Sequence, residues 1–391
     1  MNVLILSEKL WPEGSGGELA TYLYARLLAE KGINVKIATT SSSSSSRDVW
    51  SGLPVHKLRA VGHGKYTLIL GLKELGRLIR WADVIYCTEL FSVIPFVKRN
   101  FKKPVVVHLH SYFPACPVGS LYDLRKDSVC KSDGHECAKC IWYYEKAHSR
   151  SLMQATNSAI LNSTIGKLFL NSVRLADAII FVSEAQRSLF SEHAYFSSPS
   201  YVIYNPLPEL PYTPIEGDDL GFFGGLSPLK GFHILAKALS KIRNKHQVKL
   251  HAAKMERLVY PGPFAKVGII PYGKLYNASY ENVYRRVRTV VFPSICQESF
   301  GYVALEALIR GRLLVASRVG GVPEITEGLK GVLMTEPNDV DGLAEALDQA
   351  ISIDRSKAIE LGLKNRESIL KKFNNQRSVS ELIRVFERVS S

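Results

Sequence analysis

Short apolar runs alternate with stretches of helical hydrophobic spacing along the first half of the chain. The apolar runs predict strands at 2–6, 34–38, 53–59, 83–87, 104–109, 177–182 and 200–204. Runs of this length, bounded by turn residues, are typical of buried strands. Residues 17–31 have the spacing of a helix that ends at Gly32. This alternation predicts an α/β fold with a parallel sheet covered by helices.

A proline-rich segment separates this series from a second one. Residues 205–214 contain four prolines, a density typical of an interdomain linker. Beyond it the pattern predicts strands at 220–223, 248–252, 289–293 and 312–316, and helices at 229–244, 276–287, 301–310, 340–352, 355–371 and 375–389. We therefore expect an N-terminal domain (1–205), a linker (206–218), a C-terminal domain (219–372) and a final helix (373–391). A cleft between two such domains is the usual ligand site.

The composition favours a folded protein of two domains. The chain has 391 residues, of which 46% are hydrophobic and 22% charged, enough for two cores. No apolar stretch has the roughly 18 residues of a transmembrane helix. The segment Met1–Ser7 is too short and uncharged for a signal peptide. We expect a cytoplasmic protein.

Positive charge is spread along the chain. The net charge is +14, of which residues 1–205 carry +8 and the rest +6. The densest cluster is Lys98, Arg99, Lys102 and Lys103. Two interpretations stay open: a solvated surface, or contact with an anionic membrane that carries a lipid acceptor, which would make the protein peripheral at the inner face. Nucleic-acid binding is not expected, since no recognised module accompanies the charge.

The segment from Glu298 to Glu306 carries the most informative chemistry. A strand ending at Pro293 is followed by a loop with Glu298, and then by a predicted helix mouth at 299–301. Unpaired N–H groups and the dipole at a helix mouth suit a phosphate, and Gly301 leaves room for it. The rise from Glu298 to Glu306 is up to ~12 Å, about the span of a nucleotide-sugar. Two surface glutamates on an ordinary amphipathic helix are the alternative.

Residues 292–311, Phe-Pro-Ser-Ile-Cys-Gln-Glu-Ser-Phe-Gly-Tyr-Val-Ala-Leu-Glu-Ala-Leu-Ile-Arg-Gly, resemble the donor-site signature of the retaining family-4 glycosyltransferases. Residues 319–325 are similar to the next element of that family, and residues 223–231 resemble its G-R-L-x-x-x-K-G loop. The resemblance spans the second half, with a weaker match back to residue 1. It places the chain in the superfamily of glycogen synthase and phosphatidylinositol mannosyltransferase.

The resemblance implies a GT-B fold, in which two Rossmann-like domains face each other across a cleft. It implies transfer of a hexose-type sugar, with retained configuration, from a UDP- or GDP-sugar to a hydroxyl of a glycan or lipid-linked acceptor. The N-terminal domain would bind the acceptor, and no cofactor would be needed for catalysis. Such enzymes serve polysaccharide or glycolipid biosynthesis.

The candidate catalytic residues are Glu298, Lys230 and His110. Glu298 would contact sugar hydroxyls, and Lys230 would neutralise the leaving diphosphate. His110 ends a predicted strand on the same side as His108, from where it could hydrogen-bond the sugar or acceptor. The family usually has aspartate where this chain has Ser111. The candidate donor-binding residues are Gly16, Gly17, Lys230, Tyr272, Glu298, Ser299, Phe300, Gly301, Tyr302, Val303 and Glu306.

Some of these assignments have simpler alternatives, and one position differs from the family pattern. The glycine loop at 13–18 is not a dinucleotide fingerprint and could be a flexible turn. Gly225 stands where the family usually has an arginine, so one phosphate cation is missing. Asp339 and Asp341 match the D-x-D of metal-dependent glycosyltransferases, but they open a predicted helix, and an N-cap is the expected role of Asp339.

Four cysteines fall in a loop-like insertion at 111–150. Cys116, Cys130, Cys137 and Cys140 are spaced C-x13-C-x6-C-x2-C. This spacing leaves open a structural zinc site, disulfides or free thiols. Cys87 and Cys296, in apolar runs, are expected to be buried thiols.

Three other functions remain open at this point. A nucleotide-sugar epimerase would use the same donor site, and a non-catalytic glycan- or lipid-binding module would fit the missing arginine at Gly225. A Rossmann-type oxidoreductase is disfavoured by the absence of the dinucleotide fingerprint.

Overall fold

The computed structural model describes residues 1–41, 50, 52–61, 68–131, 136–243, 248–253, 255, 268–273 and 277–391. The hexaserine run at 41–46, predicted as a flexible loop, lies outside the described residues apart from Ser41.

The N-terminal domain is built on a seven-stranded parallel sheet. In chain order the strands of this domain are Asn2–Ser7 (β1), Asn34–Thr39 (β2), Val55–Lys57 (β3), Ala60–Val61 (β4), Leu68–Ile69 (β5), Val84–Cys87 (β6), Val105–Leu109 (β7), Tyr122–Asp123 (β8), Ser128–Val129 (β9), Ala178–Phe181 (β10) and Ser200–Val202 (β11). The sheet has the order β11-β10-β7-β6-β1-β2-β3, while β4-β5 and β8-β9 are antiparallel pairs. The strand predicted at 53–59 is shorter in the structure, at Val55–Lys57.

Helices cover both faces of this sheet, so its central strands read as continuous apolar runs. The helices are Gly16–Glu30 (α1), Leu72–Trp81 (α2), Ile94–Asn100 (α3), Cys137–Ala147 (α4), Leu152–Val173 (α5) and Glu184–Ser191 (α6). Residues Val3 to Leu6 of β1 are fully buried. In the pairing of β1 with β2, Val3 lies opposite Val35.

The C-terminal domain repeats this design on six parallel strands. They are Asp219–Phe222 (β12), Lys249–Ala252 (β13), Gly268–Pro271 (β14), Val287–Phe292 (β15), Leu313–Ser317 (β16) and Val332–Thr335 (β17), in the order β14-β13-β12-β15-β16-β17. Its helices are Phe232–Lys241 (α7), Asn277–Arg286 (α8), Tyr302–Ile309 (α9), Val322–Thr326 (α10), Val340–Ser352 (α11) and Arg355–Lys372 (α12). The predicted pair of parallel α/β domains is confirmed.

The last helix, Asn375–Ser390 (α13), packs against the N-terminal domain. Its buried residues Val379, Leu382, Val385 and Phe386 share a core with strands of the first sheet. The ring of Phe386 meets that of Tyr86 on β6 edge to face, with centroids 5.4 Å apart. The chain therefore passes between the domains twice, once before β12 and once before α13. Within the described residues, no helix is long and apolar enough to span a membrane.

Candidate functional site

The loop between β15 and α9 holds Glu298 at the carboxyl end of the C-terminal sheet. Gly301, the residue before α9, has φ +104, a left-handed conformation that residues with a Cβ disfavour. The hydroxyl of Ser294 donates to Oε1 of Glu298 at 2.6 Å. The loop therefore fixes the Glu298 carboxylate beside the first turn of α9, where backbone N–H groups lack helical partners.

Lys230 and Glu298 form an ion pair, with Nζ and Oε1 2.5 Å apart. Their side chains are 32% and 15% exposed, so a ligand can reach the pair. Burial alone would lower the pKa of Lys230. The neighbouring Glu298 carboxylate has the opposite effect, and the pKa of the lysine is raised overall. Lys230 is therefore cationic over the physiological range, at a site where a diphosphate could compete with the carboxylate for it.

Gly225 has a backbone conformation that explains its departure from the family pattern. Its φ is +76, in the left-handed region. An arginine there would be strained by about 1–2 kcal/mol. The loop before α7 is therefore adapted to glycine in this chain.

The glycine loop of the N-terminal domain faces the mouth of α9. A Cβ on Gly16 would lie 2.8 Å from the ring of Tyr302, and a Cβ on Gly17 would lie 3.1 Å from Cβ of His110. The hydroxyl of Ser299 donates to the backbone oxygen of His110 at 2.7 Å. The structure thus brings together five candidate residues from the two domains.

His110 is a neutral imidazole. Its ring stacks on that of His108, with centroids 4.4 Å apart. Burial lowers the pKa of His110 to about 3, against a smaller opposing contribution from Asn205. Neither ring nitrogen of His110 makes a hydrogen bond of normal geometry to the described residues. The pKa of His108 is also lowered by burial, and the Tyr86 hydroxyl lies 2.6 Å from its Nδ1.

Several candidate donor residues make contacts of their own or are buried. The hydroxyl of Tyr272 is 2.9 Å from Nδ1 of His251. Glu306, one turn inside α9, has the Tyr280 hydroxyl 3.5 Å from its Oε2. The side chains of Phe300 and Tyr302 are buried, so only their backbone could face a ligand. Val303 packs at the edge of the same core.

Sequence reasoning missed the residues that join the two domains beside the site. Both carboxylate oxygens of Glu324 in α10 accept from backbone N–H groups at the start of α6, from Ala185 at 2.6 Å and from Glu184 at 3.0 Å. A carboxylate is stabilised at a helix N-terminus by the helix dipole. The Ser183 hydroxyl donates to the Ser299 backbone oxygen at 2.6 Å. The segment 319–325, which resembles a family element, contains Glu324. The hydrogen-bond partners of Glu324 could not be found from the sequence, because they are more than a hundred positions away.

Sequence reasoning also missed two carboxylates of an N-terminal cavity of about 140 Å³, Glu18 and Glu89. Glu89 follows strand β6 by two residues, and this strand-end position is the signal that could have found it. The cavity also reaches Gly17 and His110. It therefore adjoins the meeting point of the two domains.

The cysteines of the insertion are not arranged as a zinc site. Cys116, Cys130, Cys137 and Cys140 all line one cavity of about 100 Å³. Among the residues that the structure describes, no three metal-binding side chains converge on one point. All six cysteines are free, so the disulfide alternative is not observed. Without a bound metal, burial raises the pKa of Cys137 to about 11 and that of Cys140 to about 12. The zinc interpretation therefore has no support.

Two other expectations concern buried thiols and the D-x-D pattern. Cys87 and Cys296 are buried, as predicted. The side chain of Asp339 accepts from the backbone N–H of Gly342 at 2.9 Å, which confirms the N-cap. Asp341 pairs with Lys241 on the surface at 2.5 Å.

Two of the four side chains in the basic cluster make polar contacts within the protein. Nζ of Lys98 pairs with Asp177 at 2.8 Å, and Nζ of Lys103 donates to the backbone oxygen of Ala82 at 2.6 Å. Arg99 and Lys102 are exposed. Half of the cluster therefore serves the fold.

Comparison with known families covers most of the chain. Residues 14–208 match the family model described as Glycosyltransferase Family 4, and residues 217–352 match the one described as Glycosyl transferases group 1. The chain belongs to the family-4 glycosyltransferases. It is therefore a glycosyltransferase enzyme. One family model matches the N-terminal half of this family-4 chain and the other matches most of the C-terminal half.

Individual proteins agree with this assignment. The family-4 chain is 29% identical to an uncharacterized glycosyltransferase of Methanocaldococcus jannaschii over 73% of its own length and 76% of that protein. It is 29% identical to the D-inositol 3-phosphate glycosyltransferase of Corynebacterium jeikeium over 45% of each chain. HepE of Anabaena, solved in complex with UDP-glucose, superposes with a TM-score of 0.69 over 98% of this chain and all of HepE, at 18% identity. The likeness to HepE shows the GT-B fold.

Proposed function

We propose that this glycosyltransferase moves a hexose-type sugar, with retained configuration, from a UDP- or GDP-sugar to a hydroxyl of a glycan or lipid-linked acceptor. The observation that carries the proposal is the Lys230–Glu298 pair, 2.5 Å apart beside the mouth of α9. That mouth faces the glycine loop of the other domain through the contact of Gly16 with Tyr302. The UDP-glucose complex of HepE, on the same fold, supports a nucleotide-sugar donor.

The donor would lie along the C-terminal side of the cleft. Backbone N–H groups at residues 299–303 and the Lys230 ammonium would hold the diphosphate, because both place positive charge where the leaving group gains negative charge. Glu298 would then accept hydrogen bonds from sugar hydroxyls. Glu306 would contact the ribose, and Tyr272 would stack on the base. Gly16 and Gly17 would let the N-terminal loop approach the phosphates.

The acceptor would approach from the N-terminal domain, residues 1–205. Its hydroxyl oxygen would bond to the anomeric carbon on the face that the diphosphate leaves. The proton of that hydroxyl would pass to the departing phosphate oxygen, so the protein need not supply a base. His110, neutral at physiological pH, would hydrogen-bond the sugar or the acceptor without adding charge. Closure of residues 219–372 on the first domain would exclude water.

The charge of the protein supports a place at a membrane surface. A net charge of +14 and the exposed Arg99 and Lys102 would favour the anionic inner face of a membrane. A cytoplasmic or peripheral enzyme of polysaccharide or glycolipid biosynthesis fits this arrangement.

The test is nucleotide release from a panel of UDP-, GDP- and ADP-sugars, with and without a cell lipid extract. We expect one donor to be used, with release increased by the extract. Glu298→Ala should lose roughly 10²-fold or more in kcat, because it removes both the contact to the sugar hydroxyls and the partner that positions Lys230, and the loss of one preorganised group has about this size. Glu345→Ala, an exposed change in the same domain, is the matched control.

Two results would overturn the proposal. One is the absence of both release and binding for every donor, which would favour a binding module. The other is conversion of the donor to its sugar epimer without any acceptor.

A further inference from the structure

The cavity between α1 and the carboxyl ends of β1, β6 and β7 has acidic walls. Its lining includes Glu8, Glu18 and Glu89. No lysine or arginine is among the described residues that line it. His110 lines it as well, but burial lowers the pKa of this ring to about 3. An acidic cavity is unexpected in a protein whose net charge is +14.

Two of these carboxylates are held in fixed positions. Oε2 of Glu89 accepts from the Ser7 hydroxyl at 2.9 Å and from the backbone N–H groups of Glu8 at 2.7 Å and Lys9 at 3.1 Å. Oε2 of Glu18 accepts from the backbone N–H of Ser15 at 2.6 Å. These hydrogen bonds hold both groups through the same atom, Oε2, and none of them uses Oε1. Hydrogen bonds of this kind fix the orientation of both carboxyl groups.

Aromatic side chains also line this cavity. Phe91 and Phe113 stack with ring centroids 6.0 Å apart, and Phe113 meets Phe169 edge to face at 5.5 Å. All three line the cavity. A sugar ring has an apolar C–H face and a rim of hydroxyl donors. It can therefore pack on the phenylalanines while its hydroxyls donate to the carboxylates.

We propose that this cavity binds the sugar unit of the acceptor that receives the transferred residue, and that this unit is neutral. It would carry hydroxyls toward Glu18 and Glu89 and no phosphate or carboxylate group. An anionic group placed among like charges of low solvent exposure is repelled. This inference rests on the proposed function and adds the chemical class of the acceptor.

The inference sets this chain apart from one of its relatives. The C. jeikeium relative is named for D-inositol 3-phosphate, an anionic compound. Its matched region covers 45% of each chain, which leaves room for a different acceptor site. The acidic cavity predicts that the present enzyme does not use such a compound.

The test compares neutral and anionic acceptors that share one sugar skeleton. The probes are phenyl glycosides of glucose, galactose, mannose and N-acetylglucosamine, each paired with its 6-phosphate, together with phenyl glucuronide. Transfer is measured with the donor identified by nucleotide release. We expect the neutral member of an accepted pair to have a kcat/KM at least tenfold above that of its anionic partner. Glycosides that are not accepted are tested as inhibitors of transfer to the extract.

Variants show whether the cavity is the cause of the selectivity. Glu89→Gln replaces a carboxyl group of raised pKa, about 7, with an uncharged amide of the same size. Assayed at about pH 8, where Glu89 is mostly ionised, it should narrow the ratio of neutral to anionic kcat/KM by at least threefold. Glu192→Gln removes an exposed charge from the same domain and should leave the ratio unchanged. Melting temperatures of both variants identify a loss of folding.

Equal or better use of the anionic glycosides would overturn the inference. So would neutral glycosides that neither accept sugar nor inhibit transfer, or a ratio that Glu89→Gln leaves unchanged. Binding of UDP or GDP and release of nucleotide from the donor are measured on the same samples. If these persist while acceptor selectivity fails, the proposed function stands and only the neutral-acceptor inference falls.

Discussion

At the residue scale, burial shifts two neighbouring groups of the cleft in opposite directions. Burial and the nearby Glu18 raise the pKa of Glu89 to about 7, against the hydrogen bonds from Lys9 and Ser7. Burial lowers the pKa of His110 to about 3. In both cases the neutral form gains, as expected for groups removed from water. Near neutral pH the cavity therefore holds a carboxyl group that is partly protonated and an imidazole that is uncharged.

The Glu89 shift predicts a pH dependence of stability. The folded state keeps the proton of Glu89 up to about pH 7, whereas the unfolded chain loses it near pH 4.5. The stabilising contribution is therefore complete below pH 4.5 and is lost as pH rises to 7, by at most ~3 kcal/mol. The check is the free energy of unfolding by urea from pH 4.5 to 8 for wild type and Glu89→Gln. The difference between the two should decline across this range, and a constant difference would contradict the shift.

Single residues also mark the limit of what the sequence could predict. Lys230 and Glu298 were assigned from their places in motifs, but nothing in the sequence indicates that they pair with each other. Glu89 belongs to no sequence motif. Its place in the cavity depends on α1 lying next to it in the fold, although α1 is more than fifty positions away in the sequence. Such long-range proximity comes from the order of strands in the sheet, which periodicity does not encode.

At the element scale, the unit β15–loop–α9 depends on a second glycine turn that supports it. Gly320 has φ +49, and a Cβ there would collide with the backbone oxygen of Glu298. The backbone N–H of Gly320 donates to Oε1 of Gln297 at 2.8 Å. Gly321 donates to the backbone oxygen of Glu298 at 2.9 Å. The turn between β16 and α10 therefore sets the position of Glu298.

Gly320→Ala should displace Glu298 and lower activity. Left-handed strain and the collision together should cost ~2 kcal/mol or more of stability. We expect kcat to fall by at least tenfold, because a displacement of about 1 Å at a reacting group has effects of this size or larger. The measurements are nucleotide release and urea unfolding. Gly328→Ala is the control, since Gly328 has φ +76 and no atom within 4 Å of a Cβ. It should show the strain without the loss of activity.

The cysteine insertion predicts insensitivity to chelators. Cys137 and Cys140 have raised pKa values because they are buried. Without a bound metal they are thiols at pH 7. Because no three metal-binding side chains among the described residues converge on one point, the insertion should not need a metal for stability. Dialysis against a strong chelator should change the melting temperature by less than about 2 °C, below the shift expected for 1 kcal/mol in a domain of this size. A drop of ten degrees with release of zinc, measured by elemental analysis, would contradict this and restore the zinc interpretation.

Elements with a strong pattern were predictable and others were not. Most of the parallel strands and the N-cap at Asp339 follow from apolar runs and helix-start chemistry, whereas strands β14 and β17 were not predicted. Helix α5 was not among the predicted helices. Several of its large apolar residues do not mark its buried face, since Leu152, Met153, Ile160 and Leu168 are 60–72% exposed, whereas the small Ala155 and Ala159 are buried. Spacing suggested a metal site in the insertion, but it does not determine whether sulfur atoms point toward a common centre.

At the scale of the whole molecule, the two domains are joined by the chain and by polar contacts across the cleft. Glu324 binds the start of α6, and the Ser299 hydroxyl donates to the backbone oxygen of His110 at 2.7 Å. These contacts place Gly16, His110 and Ser299 in one neighbourhood. The sequence predicted two domains and a cleft, but the relative placement of the domains depends on contacts between residues more than a hundred positions apart.

Phe386→Ala should destabilise the N-terminal domain although it lies in the last helix. Phe386 is fully buried beside Tyr86, so its truncation should cost about 3–5 kcal/mol. The measurement is the free energy of urea unfolding, with UDP binding as a report on the C-terminal domain. Arg384→Ala, on the same helix but at an exposed position, should change stability by less than ~1 kcal/mol. Equal stability of wild type and Phe386→Ala would contradict the packing of α13 against the N-terminal sheet.

The position of α13 has a consequence for synthesis on the ribosome. Domains generally fold in the order in which they emerge during translation. Here the first domain lacks Val379, Leu382, Val385 and Phe386 until the whole second domain has been translated. The nascent N-terminal domain would expose an apolar groove throughout that time. The period before α13 is translated is therefore the stage of biogenesis at which this enzyme most needs a chaperone. Slow translation of residues 219–372 would lengthen that period.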